Sequence, residues 1–205
     1  MTMPFKKLHS DIQEKLIFFN ITMPTPFQTA SIPIIKSGTN VYCTAPKDSG
    51  KTTTLILTTL QKLKCEASGN APRAVVLVEN KERAMELYEL FLVYTKYSSL
   101  RVYVGHEQLH IDIQKSEIFE GTDILISTPK TMNKLFLLNG VSTAQLKIIS
   151  IDDAEFLSQH SSYSALMSIS QSIQKCQYVI YSEESSSMLK RFKSYFMEYS
   201  KTVSF

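Results

Sequence analysis

Short apolar runs rich in β-branched and aromatic residues alternate along the chain with longer segments of helical periodicity. Residues 40–45 (NVYCTA), 74–79 (AVVLVE), 101–105 (RVYVG), 123–128 (DILIST), 147–152 (KIISID), 177–182 (QYVIYS) and 201–205 (KTVSF) read as strands. They are apolar throughout rather than alternating, the pattern of strands covered on both faces. Residues 51–65, 80–97, 109–119, 130–139, 161–175 and 185–199 read as helices, with two more, 10–19 and 26–36, ahead of the first strand. Ser10 suits an N-cap and Pro26 a first turn, while Pro33 predicts a kink or an early end. The alternation predicts an α/β fold: a three-layer, doubly wound parallel sheet forming a single domain over 1–205, with ligands at the carboxyl ends of its strands.

Composition narrows this only a little. Hydrophobic residues make up 43% and charged residues 20% of 205, the balance of a globular domain. A net charge of +3 does not by itself imply nucleic acid. Cys43, Cys65 and Cys176 are odd in number and lack a C-x-x-C spacing, which speaks against a structural zinc or a disulfide framework and for a reducing cytoplasm. No apolar run is long enough to span a bilayer. His106 and His110 could face one way as metal ligands, but no third ligand accompanies them. A Ser-His-Asp hydrolase would need a G-x-S-x-G elbow, which is missing.

Two segments carry chemistry. "APKDSGKT", residues 45–52, follows a predicted strand and opens a predicted helix, where free N–H groups and positive potential await an anion. In that reading Gly50 allows close approach, Lys51 reaches the β- and γ-phosphates, and Thr52 holds Mg2+ through its hydroxyl. Asp48 sets a carboxylate against those phosphates, although aspartate tolerates the positive φ such a turn needs. "IISIDDAEFL" places Asp152 and Asp153 at a strand end, where one carboxylate could hold Mg2+ and its neighbour could orient or deprotonate a water. Taken alone, the pair reads as the polar close of a strand and the cap of the next helix; the phosphate loop tips it to the functional reading.

With these residues in place the chain resembles the first RecA-like lobe of the DEAD-box RNA helicases, a P-loop NTPase fold, over nearly its whole length and in the family's motif order. "NITMPTPFQ" (20–28) is similar to the adenine-reading Q motif and carries Pro24 and Gln28, while Phe5 stands in for an adenine-stacking aromatic. "APKDSGKT" is similar to A-x-x-G-x-G-K-T, so Ala45, Pro46, Lys47, Asp48, Ser49, Gly50, Lys51 and Thr52 would form the nucleotide loop, with Asp48 in a glycine's place. "DDAE" (152–155) resembles D-E-A-D, implying a catalytic role for Asp152 and Asp153 and a metal role for Thr52 and Asp152. "VENKERA", "STPKT" and Gly105 resemble RNA-gripping segments and imply contacts from Lys81, Arg83, Gly105, Thr128, Pro129 and Lys130; Ser182 of "YSEE" implies coupling. The resemblance thus implies ATP and Mg2+ as cofactors and RNA as partner. It further implies a second RecA-like lobe or separate partner protein, because the sequence closes after the last strand of lobe one. Aspartates at 48 and 153 set the expectation of weak or absent hydrolysis and unwinding by this lobe alone. The alternative is a non-hydrolysing module that docks RNA or a protein. A small kinase is disfavoured by Gln28 and by Thr128-Pro129.

Overall fold

The fold is described here from a computed structural model, for residues 2–173 and 175–205. Successive residues of a strand point to opposite faces of its sheet, and the buried side chains sort accordingly. Val41, Cys43, Ala74, Val76, Ile124, Ile126, Val179 and Tyr181 pack on one face, against Ile12, Phe27, Leu55, Leu87 and Phe91. Tyr42, Val75, Leu77, Leu125, Ile149, Ile151, Tyr178 and Ile180 pack on the other, against Ile118, Met132, Leu135, Leu166 and Phe192. Two cores separated by one sheet make three layers.

The strands are β1 (Val41–Thr44), β2 (Ala74–Leu77), β3 (Val102–Gly105), β4 (Ile124–Ser127), β5 (Ile148–Ile151), β6 (Gln177–Ser182) and β7 (Lys201–Ser204). They form one sheet in the order β3-β4-β2-β5-β6-β1-β7, with every pairing parallel. The interior strands β1, β2, β4, β5 and β6 are buried along their whole length. The edge strand β7 buries only Val203, with Lys201 exposed in the manner of a protected edge.

Helices α1 (Ser10–Phe18), α2 (Pro26–Lys36), α3 (Lys51–Leu63) and α4 (Lys81–Thr95) cover the first face. Helices α5 (Ile111–Gly121), α6 (Pro129–Leu137), α7 (His160–Gln171) and α8 (Ser187–Tyr195) cover the second. Several expectations shift, and among them α8 ends at Tyr195 rather than 199. His9, not Ser10, caps α1, its Nδ1 accepting from the Asp11 N–H at 3.4 Å. Helix α2 does not stop at Pro33 but runs on to Lys36, since Pro33 forfeits a single intrahelical N–H. Helix α7 ends at Gln171 rather than 175, and residue 174 lies outside the described residues.

Candidate functional site

The loop after β1 begins with the Ala45 N–H donating to the Ser182 carbonyl on neighbouring β6, at 3.1 Å. Asp48 takes φ 59 and Gly50 φ 93, both left-handed. Aspartate therefore keeps the turn's shape. At Gly50 a Cβ would lie 2.7 Å from Gln28 Nε2 on top of the backbone strain, so only glycine suits. The turn delivers the chain into the N-terminus of α3, whose first N–H groups have no helical partner. Lys51 is 6% exposed, and its ammonium folds back to donate to the carbonyls of Ala45 at 2.7 Å and Pro46 at 3.0 Å. The loop is thus closed on its own lysine.

Helix α2 buttresses this loop. Thr25 caps α2 by accepting from the Gln28 N–H, and Gln28 Oε1 accepts in return from the Thr25 N–H at 3.0 Å, a reciprocal capping box. The Thr25 hydroxyl also donates to the Ser49 carbonyl at 2.6 Å, and Gln28 Nε2 to the Gly50 carbonyl at 3.4 Å. Gln28, 3% exposed, is therefore a strut between α2 and the loop. Pro24 lies half-buried just ahead of it. Phe5 is not at the loop. Its ring is fully buried in the first core with Leu8, Ile12 and Phe27, leaving no face on which a base could stack.

Across the end of β6, strand β5 is followed by Asp152, which is 1% exposed, and Asp153, which turns left-handed at φ 46. Helix α4 brings in Arg83. Its Nε donates to Asp152 Oδ2 at 2.8 Å, and its Nη2 lies 2.6 Å from the same oxygen. Nη2 also donates to the Thr52 hydroxyl at 3.1 Å and lies 3.7 Å from Asp153 Oδ2. Burial, the largest influence, raises the Asp152 carboxyl above its usual range, and Arg83 partly offsets this. Burial, the largest single influence, works against the Arg83 charge too, but Asp152 together with Glu86 and Asp153 outweighs it and holds the proton more firmly. Asp152 Oδ1 is buried without a partner among the described residues.

Lys47, Asp48, Gly50, Lys51, Thr52, Arg83, Asp153 and Glu183 line one cleft of about 430 Å³. The Lys47 ammonium and the Glu183 carboxylate stand 3.7 Å apart within it. The size suits a small polyphosphate ligand. A divalent cation between Thr52 and Asp152 does not suit these residues. Thr52 Oγ1 and Asp152 Oδ2 are held by one guanidinium, and at ~4 Å a divalent and a unit positive charge repel by roughly 8 kcal/mol at an effective dielectric of 20.

The expected nucleic-acid residues divide. Lys81 donates to Gln108 at 2.6 Å, and Lys130 is exposed at the start of α6. Pro129 is buried as the first residue of α6, and Thr128 caps that helix while its hydroxyl donates to Glu107. Gly105 ends β3, where the Ser127 hydroxyl donates to its carbonyl at 2.9 Å. Arg83, by contrast, turns into the cleft. His106 is buried and accepts from the Gln108 N–H at 3.3 Å, whereas His110 is exposed beside Asp112.

Glu155 escaped sequence reasoning although it stands inside "DDAE". Its Oε1 accepts from the backbone N–H of Glu183 at 2.5 Å and of Glu184 at 3.4 Å, tying the β5 loop to the loop that follows Ser182. Ser182 itself is fully buried, its hydroxyl 3.4 Å from Tyr42 Oη.

The sequence profile of the DEAD/DEAH box helicases matches residues 25–185. The chain is 30% identical over 141 residues to ATP-dependent RNA helicase ddx54 of Dictyostelium discoideum, covering 68% of this chain and 13% of that protein. It is also 30% identical over 148 residues to ATP-dependent RNA helicase DBP10 of Scheffersomyces stipitis, covering 70% of this chain and 16% of that one. A DEAD box protein from the hyperthermophile Methanococcus jannaschii superposes with a TM-score of 0.88 at 16% identity, over 96% of this chain and 54% of that chain. A Saccharomyces cerevisiae dbp5 variant bound to a gle1 variant and IP6 superposes with a TM-score of 0.85 at 16% identity, over 100% of this chain and 52% of that chain. The chain thus spans less than a fifth of these two curated relatives and about half of these two solved chains.

Proposed function

The chain belongs to the DEAD/DEAH box helicase family, and from that premise we propose that it is a nucleotide-binding RecA-like lobe that takes an adenine nucleotide at Lys51 and Thr52 and docks RNA on the neighbouring face. One observation carries this reading. The loop of Lys51 and Thr52 and the acidic end of β5 converge on a single cleft, close enough that the Lys51 charge acts on the Asp152 carboxyl.

ATP, when bound, supplies a phosphoanhydride whose γ-phosphoryl a water can displace. The chain's own part is mostly electrostatic. Helix α3 presents its first N–H groups to the phosphates. Lys51 exchanges the Ala45 and Pro46 carbonyls for phosphate oxygens. Asp153 lines the cleft and would be the carboxylate to orient a water, but it reaches one methylene less far than a glutamate. A misplacement of about 1 Å can cost roughly a hundredfold in rate. Asp48 opposes the added negative charge. We therefore propose feeble hydrolysis by this lobe alone and no unwinding, with a second lobe or a partner protein needed to complete the machinery.

Calorimetric titration with ADP tests the binding claim. Heat that saturates, and that Lys51→Ala abolishes, supports it; no heat at millimolar nucleotide sinks it. An ATPase assay with RNA, with and without an added second lobe, tests the rest. Turnover at an ordinary helicase-lobe rate without the second lobe would contradict it. The other reading, a non-hydrolysing docking module, is favoured by Arg83, which spends its charge on Asp152 rather than on an RNA phosphate.

A further inference from the structure

Thr52 Oγ1 and Asp152 Oδ2 stand where oxygens could serve a bound divalent cation, and a single guanidinium already holds both. Within helix α4 the Glu86 carboxylate accepts from Arg83 Nη1 at 3.2 Å, an exposed pair that contributes little. Residue 83 lies in the first turn after the Asn80 cap, where the helix field opposes positive charge. The buried carboxylate overrides that field. Arginine also keeps its charge at every working pH and presents a planar fork of donors suited to carboxylate and phosphate oxygens alike. Arg83 lines the same cleft as Lys51, and its side chain remains 27% exposed there.

We propose that Arg83 is a built-in replacement for the divalent cation, so that this site takes up a nucleotide polyphosphate in its metal-free form. The proposal rests on the nucleotide reading given above and adds to it the form of the ligand. Asp152 then serves to hold the guanidinium in place, and Thr52 to orient it, with Nη2 beside the approaching phosphate oxygens. The positive charge that accompanies a nucleotide elsewhere is here part of the chain.

The test is calorimetry of the whole 205-residue chain with ADP, once in excess Mg2+ and once in excess EDTA. The expected result is an equal dissociation constant in the two, within about twofold, and an Arg83→Leu protein that has become metal-dependent, binding at least about tenfold tighter with Mg2+. Binding by the wild type that tightens tenfold or more with Mg2+ overturns the proposal while leaving the nucleotide site standing. No binding in either condition overturns the nucleotide reading and this proposal with it. An Arg83→Leu protein that folds, binds and stays indifferent to Mg2+ shows that Arg83 is not the cation's substitute. The wild-type comparison requires no variant, so failure of Arg83→Leu to fold leaves the test decisive.

Discussion

Asp48 holds a left-handed turn on the exposed rim of the cleft, so glycine there keeps the shape and removes one negative charge. Asp48→Gly should tighten ADP binding by about two- to fivefold, read by calorimetry; unchanged or weaker binding would refute the charge argument. Asp123 presents the opposite case. Its fully buried carboxylate accepts from Arg73 Nη2 at 2.7 Å, Arg101 Nε at 2.8 Å and the Ser68 N–H at 3.1 Å. Asp123→Ala strands Arg73, itself 4% exposed, and should cost roughly 3–5 kcal/mol in urea unfolding. Burial pushes the Asp123 carboxyl up, but its arginine and backbone donors outweigh that and hold it below the ordinary aspartate range. The folded value lies beneath the unfolded one, so this stability is complete above the unfolded value and lost as pH falls through the folded one. An Asp123→Asn protein should accordingly lose its deficit against wild type in acid, below about pH 4. At this scale Asp152 was legible because it directly follows an apolar strand, and Lys51 and Thr52 because they open the helix after the loop that follows one. The direction of Arg83 was not: a charged residue in a helix's first turn can turn outward or inward, and the depth of Asp152 decides it. Phe5 misled because an aromatic ahead of a helix serves a core as readily as a base.

Helix α2 joins the fold to the site through its cap. Thr25→Ala removes the bond to the Gln28 N–H and the one to the Ser49 carbonyl. It should cost about 0.5–2 kcal/mol in thermal or urea unfolding and weaken nucleotide binding as well. A variant that loses stability but keeps its full affinity would show that α2 does not steady the loop. The strands were legible because interior parallel strands are apolar on both faces, and each expected strand has its counterpart. Helix ends were less so. His9, Ser10 and Asp11 cluster at the start of α1, and which of them caps depends on local geometry rather than on spacing. The capping box of Thr25 and Gln28 hid inside a segment read for its adenine chemistry. Glu155 was hidden for a related reason, because its partners are backbone N–H groups on another strand's loop, which no local pattern reveals.

For the molecule as a whole, the carboxyl ends of all the interior strands open on one edge of the sheet, with the nucleotide cleft after β1 and β5 and the Lys81 and Lys130 region after β2 and β4. Binding of single-stranded RNA should weaken as salt rises, its logarithmic slope near −0.7 per phosphate neutralised. A Lys81→Ala, Lys130→Ala double variant should lower both the affinity and the slope; a slope unaffected by the pair would place RNA elsewhere. None of the helices among the described residues is long and apolar enough to cross a membrane. The Lys51 ammonium, hydrogen-bonded to the Ala45 and Pro46 carbonyls, makes the loop its own guest. An incoming phosphate has to evict that lysine before the pocket can accept it, and the released carbonyls must turn to water. Occupancy should therefore register as altered amide exchange around residues 45–52 even where no bond is ever cleaved, so the lobe can signal what it holds through the slackness of one loop.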